Sequence, residues 1–196
     1  MTETPSPHVI DADTLSGGLK PIRQVILSLG SNLGDRYEHL RTAVRAFGDT
    51  VLLTSGVYQT PPWGDADQPA YLNAVLTVAD PGAGPHDWLD RARAAEAAAG
   101  RVRDPERRFG PRTLDVDVIA VWDAGGRPVL RDDPELTLPH PRAHQRAFVL
   151  RPWIDIDPFG VLPGHGALTD LLTGAALADD VAAMSPRPDL PLESTG

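Results

Sequence analysis

One stretch decides how the rest of the chain is interpreted: RVRDPERRFGPRTLDVDVI, residues 101–119. Its first twelve residues carry five arginines and two acids, a local charge of +3 (five minus two), in a chain whose net charge is −9. Glycine and proline interrupt any helix there, so the arginines are predicted to lie on a loop. Such a loop can close over an anion.

The second part of this stretch alternates in polarity as a β-strand does. Asp115 and Asp117 fall on one face, which continues as Ile119 and Val121. Two carboxylates on one face repel each other unless a divalent cation lies between them. Oxygen ligands beside an arginine loop are typical of a Mg²⁺–polyphosphate site. The alternative is an acidic strand start beside a solvated basic loop, and the nearby Arg112 favours the site.

The composition excludes several classes of protein and of binding site. With 196 residues, 41% hydrophobic and 23% charged, the chain has the size and composition of one soluble domain. The acidic balance argues against a nucleic-acid-binding protein. Lys20 is the only lysine, which excludes a Walker A loop, and the absence of cysteine fits a reducing cytoplasm. No apolar run predicts a membrane span and no signal pattern predicts export, so we expect a cytoplasmic protein.

The order of predicted elements indicates an α+β fold. Strands are predicted at 25–29, 51–58, 71–78 and 115–122, and helices at 36–47 and 85–99. This β-α-β-β-α-β order predicts a ferredoxin-like core, an antiparallel sheet with both helices on one face. C-terminal additions follow, including a short helix at 168–178. We expect a disordered extension at 1–21, a single domain at 22–184 and a disordered tail at 185–196.

Two further groups of residues suggest binding roles. Asn73, next to aromatic Tyr71 on a predicted strand, could recognise the edge of a flat heterocycle, although a half-exposed polar residue is the simpler alternative. Trp63, in a stiff loop that begins Thr60-Pro61-Pro62, could line a pocket or cap the surface. His140 and His144 lack an obvious third metal ligand, so an anion site that includes His140 is favoured over zinc.

Taken together, these motifs resemble the 6-hydroxymethyl-7,8-dihydropterin pyrophosphokinase family of folate biosynthesis. The resemblance runs from about residue 24 to 172, and its most specific part is RFGPRTLDVDVI, residues 108–119. Four shorter motifs occur in the family's order: GSNLG at 30–34, TPP at 60–62, YLN at 71–73 and LPH at 138–140. Phe109 stands where family members often have tryptophan.

The resemblance implies transfer of pyrophosphate from ATP to the pterin hydroxymethyl group, with release of AMP. It implies small-molecule substrates and a monomer, and it gives two Mg²⁺ ions to Asp115 and Asp117. The implied catalytic residues are Arg101, Arg103 and Arg112. The implied ATP-binding residues are Glu96, Arg101, Arg103, Arg108, Phe109, Arg112, Val118, His140 and Arg146. The implied pterin-binding residues are Thr60, Pro62, Trp63, Tyr71, Asn73 and Phe148.

Two other classes of protein remain open from the sequence. A different metal-dependent transferase with a D-x-D motif would not need the aromatic pocket of Tyr71, Asn73 and Phe148. A non-catalytic binding module on the same sheet topology is the second, because a common fold does not determine function.

Overall fold

The computed structural model describes residues 24–63, 67–102 and 110–192. The strands are β1 Gln24–Ser31, β2 Val51–Thr54, β3 Tyr58–Thr60, β4 Tyr71–Ala79, β5 Asp115–Val121, β6 Arg131–Asp132, β7 Thr137–Leu138, β8 Val161–Leu162, β9 Gly166–Ala167 and β10 Ser185–Pro186. The α-helices are α1 Arg36–Phe47, α2 Pro85–Ala98, α3 Ala147–Ile156, α4 Leu168–Thr173 and α5 Ala178–Ala182. Single 3-10 turns lie at Gly48–Thr50, Ala143–Gln145 and Ala175–Leu177. None of the helices in the described ranges is long and apolar enough to span a membrane.

The main sheet is antiparallel and has the order β10-β3-β4-β1-β5, with β2 also paired to β4. The predicted antiparallel sheet with helices is therefore confirmed. The prediction of a single strand at 51–58 is wrong, because this segment is divided between β2 and β3. At the break, the Ser55 hydroxyl accepts a hydrogen bond from the Val75 N–H at 2.8 Å. Thr54 lies opposite Leu76 whereas Tyr58 lies opposite Asn73, so the register shifts by one residue across the break.

Helices α1 and α2 pack on one face of the sheet. Helix α1 begins where the Asp35 side chain accepts the Glu38 N–H at 3.0 Å, and it ends at Gly48, which has a φ of 50°. Its apolar stripe meets the residues of β1 that point to this face. This main core contains Val25, Leu27, Leu29, Leu40, Val44, Phe47, Trp88, Val116 and Val118, among others.

The opposite face of the sheet is covered by α3, which the sequence analysis did not predict. Leu150 and Trp153 of α3 are fully buried and pack with Ile26, Val75 and Ile119. The sheet is therefore a middle layer with helices on both faces, and α4 and α5 add to the side of α3. The helix predicted at 168–178 is divided between α4 and α5 at Gly174.

A β-bulge changes the alternation of β5. Leu27 lies opposite Val118, but the preceding Ile26 lies opposite Ala120, so Ile119 is an extra residue in β5. Beyond the bulge the side chains exchange faces, and Val121 packs in the main core with α1 and α2. The expectation that Val121 continues the aspartate face is therefore wrong, because strict alternation ends at Ile119.

The C-terminal segment through Leu192 belongs to the domain, so the predicted disordered tail at 185–196 is wrong for residues 185–192. Strand β10 pairs with β3, and the side chain of Leu192 is buried in the main core. The Arg187 N–H donates to the Val57 carbonyl at 2.8 Å. The segment contributes apolar side chains and backbone donors that composition alone does not reveal. Residues 193–196 and the predicted N-terminal extension at 1–21 lie outside the described residues.

Candidate active site

A pocket, which we call the ring slot, lies between the end of β3, β4 and the start of α3. Tyr71 and Asn73 alternate on β4 and so point to the same side of the sheet. The residues that line the slot are Ser28, Gly30, Thr60, Pro61, Trp63, Tyr71, Asn73, Arg112, Asp115, Asp117, Arg146 and Phe148. Five of the six predicted pterin-binding residues therefore lie together. Pro62 is the exception, because it lines a smaller cavity on the other side of the same loop.

Asn73 is held in a fixed orientation inside this slot. It is buried, and its amide donates a hydrogen bond to the Thr60 hydroxyl at 2.8 Å. A Cβ at Gly30 would lie 3.1 Å from the side-chain oxygen of Asn73 and 3.6 Å from the Tyr71 ring. Glycine at position 30 therefore keeps space for a ligand beside these two residues, a role that the sequence analysis missed.

Two aromatic rings flank the guanidinium of Arg146. Its carbon lies 5.5 Å from the Trp63 ring centre and 5.6 Å from the Phe148 ring centre, distances of a cation–π contact. The same guanidinium donates to Asp117 at 2.7 Å. Arg146 therefore connects the aromatic end of the slot to the carboxylates of β5.

The two aspartates of β5 are both paired with arginine. Asp115 accepts hydrogen bonds from Arg101 and, at 2.9 Å, from Arg112. Burial raises the pKa of Asp115, but the two arginines lower it more, so its pKa lies below the ordinary value. The like-charge repulsion expected between Asp115 and Asp117 is thus offset by arginines that come from other parts of the chain.

Asn32 positions Arg112, and Glu96 positions Arg101. Asn32, just after β1, forms two hydrogen bonds with the backbone of Arg112. The Asn32 N–H donates to the Arg112 carbonyl at 3.1 Å, and the Arg112 N–H donates to the Asn32 side-chain oxygen at 2.8 Å. Glu96 is buried at the end of α2, where it accepts from Arg101 and from the Val116 N–H at 3.0 Å. Asn32 belongs to the GSNLG motif, and its structural role was not predicted.

A wider cleft of about 690 Å³ continues from the slot past β5. Its lining is polar and includes Arg93, Glu96, Arg101, Arg112, Asp115, Val116, Asp117, Glu135, His140, Arg142 and Arg146. Arg112, Asp115, Asp117 and Arg146 line both the slot and the cleft. A ring in the slot and a polyanion in the cleft would therefore meet at these four side chains.

His140 faces this cleft as a hydrogen-bond donor. Its Nδ1 accepts the Arg142 N–H at 3.1 Å, which leaves the proton of the neutral ring on Nε2, 4.0 Å from the Asp117 carboxylate. Burial lowers the pKa of His140 more than Asp117 raises it, so this pKa lies below its ordinary value. His144 does not join it and stacks instead on His165 with ring centres 4.1 Å apart. Across the described ranges, no three potential His, Cys, Asp or Glu ligands cluster.

Other predicted site residues lie elsewhere. Val116 and Val118 are both buried in the main core, but only Val116 is among the residues that line the cleft. The ATP contact of Val118 stays a prediction. Arg103, Arg108 and Phe109 lie outside the described residues. Arg142 lines the cleft but was not predicted. Its position after the LPHP motif was the only signal in the sequence.

The comparison with known families agrees with this geometry. Residues 26–158 match the profile described as 7,8-dihydro-6-hydroxymethylpterin-pyrophosphokinase (HPPK). The chain belongs to the HPPK family. The HPPK match ends shortly after α3, so α4, α5 and β10 lie beyond it.

Curated HPPK relatives are similar over most of their length. The 2-amino-4-hydroxy-6-hydroxymethyldihydropteridine pyrophosphokinase of Mycobacterium tuberculosis is 44% identical over 178 residues, which cover 87% of this chain and 94% of the relative. The protein of the same name from Mycobacterium leprae is 48% identical over 139 residues, which cover 68% of this chain and 72% of the relative.

A solved structure with similar architecture is Plasmodium falciparum HPPK-DHPS, wild type, with pterin and p-hydroxybenzoate. The TM-score is 0.60 at 13% identity, and the match covers 88% of this chain. This chain spans about half of the solved one, since 47% of the latter is covered. The likeness at this low identity is one of fold. It supports the HPPK architecture of the sheet and helices.

Proposed function

We propose that this chain transfers pyrophosphate from ATP to the hydroxymethyl group of 6-hydroxymethyl-7,8-dihydropterin, a reaction of tetrahydrofolate biosynthesis that releases AMP. The observation that carries the proposal is the junction of the ring slot and the polar cleft at Arg112, Asp115, Asp117 and Arg146. The curated relatives named as this pyrophosphokinase support the choice of substrates. The D-x-D transferase alternative is disfavoured, since it has no use for the ring slot.

The binding roles follow from the positions of the side chains. The pterin lies in the slot, where the fixed amide of Asn73 recognises its polar edge and Tyr71 and Phe148 contribute aromatic surface. The ATP phosphates lie in the cleft beside Arg101, Arg112 and the Nε2–H of His140. Arginine is suited to this role because its planar group donates several hydrogen bonds to phosphate oxygens.

The donor set of β5 fits magnesium. Asp115 and Asp117 offer carboxylate oxygens on one side of the cleft, with side chains 25% and 31% exposed. Mg²⁺ is commonly held by one or two carboxylates, with phosphate and water as its other ligands. We propose two Mg²⁺ ions at this pair. When bound, they supply positive charge that neutralises the triphosphate.

The chemical step is a substitution at the β-phosphorus of ATP. The pterin hydroxyl oxygen forms a new bond to the β-phosphorus. The bond between that phosphorus and the bridging oxygen of the α-phosphate breaks. AMP leaves with the electron pair, and the hydroxyl proton passes to water. The arginines that now bind Asp115 and Asp117 exchange these partners for phosphate oxygens, which stabilises the developing charge. Asn73 and the aromatic rings hold the pterin oxygen in line with the phosphorus.

The remaining structural assignments belong to the same proposal. We interpret the succession of β1, α1, the β2/β3 pair, β4, α2 and β5 as a ferredoxin-like core with C-terminal additions. The strand order and the packing of α1 and α2 on one face support that interpretation. We further propose that the enzyme acts as a monomer. We also propose that it acts in the cytoplasm, with which a composition without cysteine is consistent.

The test is to identify the products. The purified protein is incubated with ATP, MgCl₂ and 6-hydroxymethyl-7,8-dihydropterin, and the mixture is resolved by mass spectrometry. We expect AMP and the pterin pyrophosphate in equal amounts, and no AMP when the pterin is omitted. Formation of ADP and a pterin monophosphate, or no nucleotide product, would contradict the proposal. Omission of Mg²⁺ in the presence of a chelator tests the metal requirement separately.

A further inference from the structure

The segment from Met184 to Leu192, which we call the C-terminal strap, lies beyond the HPPK match yet is anchored along its length. Its β10 lies at one edge of the main sheet, where it pairs with β3. The N–H of Arg187 donates to the Val57 carbonyl at 2.8 Å, and its guanidinium donates to Gln59 at 3.2 Å. Pro186 has no N–H to donate and is tolerated because β10 is an edge strand.

The far end of the strap is fixed to a different part of the domain. The hydroxyl of Tyr37 on α1 donates to the Pro191 carbonyl at 2.5 Å, and the hydroxyl of Thr54 donates to the Leu192 carbonyl at 2.6 Å. Leu192 is itself buried. The strap is therefore held at two separate places, β3 at one end and α1 with β2 at the other.

Strand β3 leads directly into the loop that lines the ring slot. It has three residues and ends at Thr60, which accepts the hydrogen bond from Asn73. Pro61 and Pro62 follow, and neither has an N–H that could attach the loop to a neighbouring strand. Because the backbone of the loop donates no hydrogen bond at these two positions, the position of the loop depends on the pairing of β3 with its neighbouring strands.

The loop also faces the C-terminal region across a small cavity. A cavity of about 50 Å³ separates it from the C-terminal region. Loop residues Thr60, Pro61, Pro62 and Trp63 line one side of this cavity, and Asp180, Ala183 and Met184 line the other, with Ala147 and Phe148 completing it. Trp63 and Phe148 line the ring slot as well. The loop therefore stands between its ligand slot and the start of the strap.

We infer that the C-terminal strap is a positioning element for the pterin slot, acting through β3 on Thr60, Trp63 and Asn73. This inference rests on the proposed function for the identity of the ligand. Loss of the contact between β10 and β3 weakens pterin binding without a comparable effect on ATP, because Thr60, Trp63 and Asn73 line the ring slot and do not line the ATP cleft.

Arg187→Pro tests the inference, since it removes both the N–H to Val57 and the guanidinium to Gln59. A net hydrogen bond contributes about 1 kcal/mol, which corresponds to about a fivefold change in binding. We expect KM for the pterin to rise about fivefold, with KM for ATP and kcat within about twofold of wild type. Hydrogen exchange should become faster at amides 57–60 and remain unchanged across β1 and β5. Arg187→Ala, which keeps the backbone donor, should show a smaller effect in the same direction.

Tyr37→Phe is the matched control. It removes the hydrogen bond to Pro191 at the far end of the strap and leaves the pairing of β10 with β3 in place. It should lower the melting temperature without raising KM for the pterin. An unchanged pterin KM in both Arg187 variants, or an equal rise of both KM values, would overturn the positioning role. If the wild type forms no AMP, the proposed function fails, while the exchange of amides 57–60 still decides whether the strap holds β3.

Discussion

Asp115 and Asp117 are two residues apart on one strand but have different surroundings. Asp115 binds two arginines, whereas Asp117 binds Arg146 and has the Nε2 of His140 at 4.0 Å. The sequence predicted the carboxylate pair because strand alternation is a local property. Arg112 is only three residues from Asp115, but the pairing of Arg101 and Arg146 with the aspartates could not be predicted, since these two reach them through the fold.

Replacing either aspartate by asparagine should lower turnover by several orders of magnitude. Asparagine keeps the size of the side chain but removes the charge that would hold Mg²⁺ against the phosphates. The measurement is AMP formation as a function of Mg²⁺ concentration for Asp115→Asn and Asp117→Asn. Asp49→Asn, in the exposed turn after α1, is the control and should match wild type. Wild-type rates in both site variants would mean that the metal is held elsewhere.

Asp115 should also contribute stability that depends on pH. Its pKa in the folded protein lies below the ordinary 3.8 because Arg112 and Arg101 favour the charged form. The contribution is therefore complete above that value and is lost as the pH falls through the lower, folded pKa. We expect the melting temperature of wild type to exceed that of Asp115→Asn at pH 7, and the difference to shrink below about pH 4. A difference that stays constant down to pH 3 would contradict this assignment.

Phe148→Ala should weaken pterin binding and largely spare ATP binding. Loss of one aromatic face costs about 1–3 kcal/mol, which is tenfold or more in affinity. Calorimetric titration with the pterin and, separately, with a non-hydrolysable ATP analogue measures both effects. Phe159→Ala is a matched control because the side chain of Phe159 is 93% exposed. A loss of ATP affinity with unchanged pterin affinity would place Phe148 at the other ligand.

At the level of elements, the breaks in regular structure were harder to predict than the elements themselves. The predicted bounds of α1 coincide with those observed, and those of α2 and β4 differ by one residue, because their polarity patterns are regular. Helix α3 was missed because it contains Pro152 and follows a polar cluster that suggested only a binding role. Its apolar neighbours on the sheet, which include Ile26, Val75 and Ile119, stabilise it. The bulge at Ile119 depends on pairing with β1 and has no local signal.

Ser55→Ala should reveal the cost of the break between β2 and β3. The Ser55 hydroxyl accepts the buried Val75 N–H at 2.8 Å, so alanine would leave that donor without this partner. A buried unsatisfied donor costs about 1–3 kcal/mol of unfolding free energy. Urea denaturation measures the change, with Ser185→Ala as the exposed control. A loss below about 0.5 kcal/mol would show that the hydroxyl is dispensable.

On the scale of the whole molecule, the sequence predicted one sheet with helices but not that both faces are covered. The boundary of the domain was also set too early, at 184. Composition favoured disorder after that point because proline is frequent there. The fold instead uses the pairing of β10 and the burial of Leu192, which depend on the positions of β3 and α1.

Leu192→Ala should destabilise the protein although the residue lies near the end of the described chain. The side chain is 6% exposed and packs in the main core. Truncation of a buried leucine costs about 2–5 kcal/mol, and a site at the edge of the core is expected near 2 kcal/mol. Leu130→Ala is the control, since Leu130 is 72% exposed. Equal melting temperatures for the two variants would contradict the docking of Leu192.

The outermost position of β10 has a consequence for how the protein is made. Ribosomes synthesise β10 after all the other strands of its sheet, so the nascent chain presents β3 with an open edge until Pro186 has emerged. An open edge is a template for pairing with a second chain. Aggregation during translation is therefore the hazard of this architecture. The last strand reduces it, because the edge that β10 leaves has only two residues and Pro186 has no N–H.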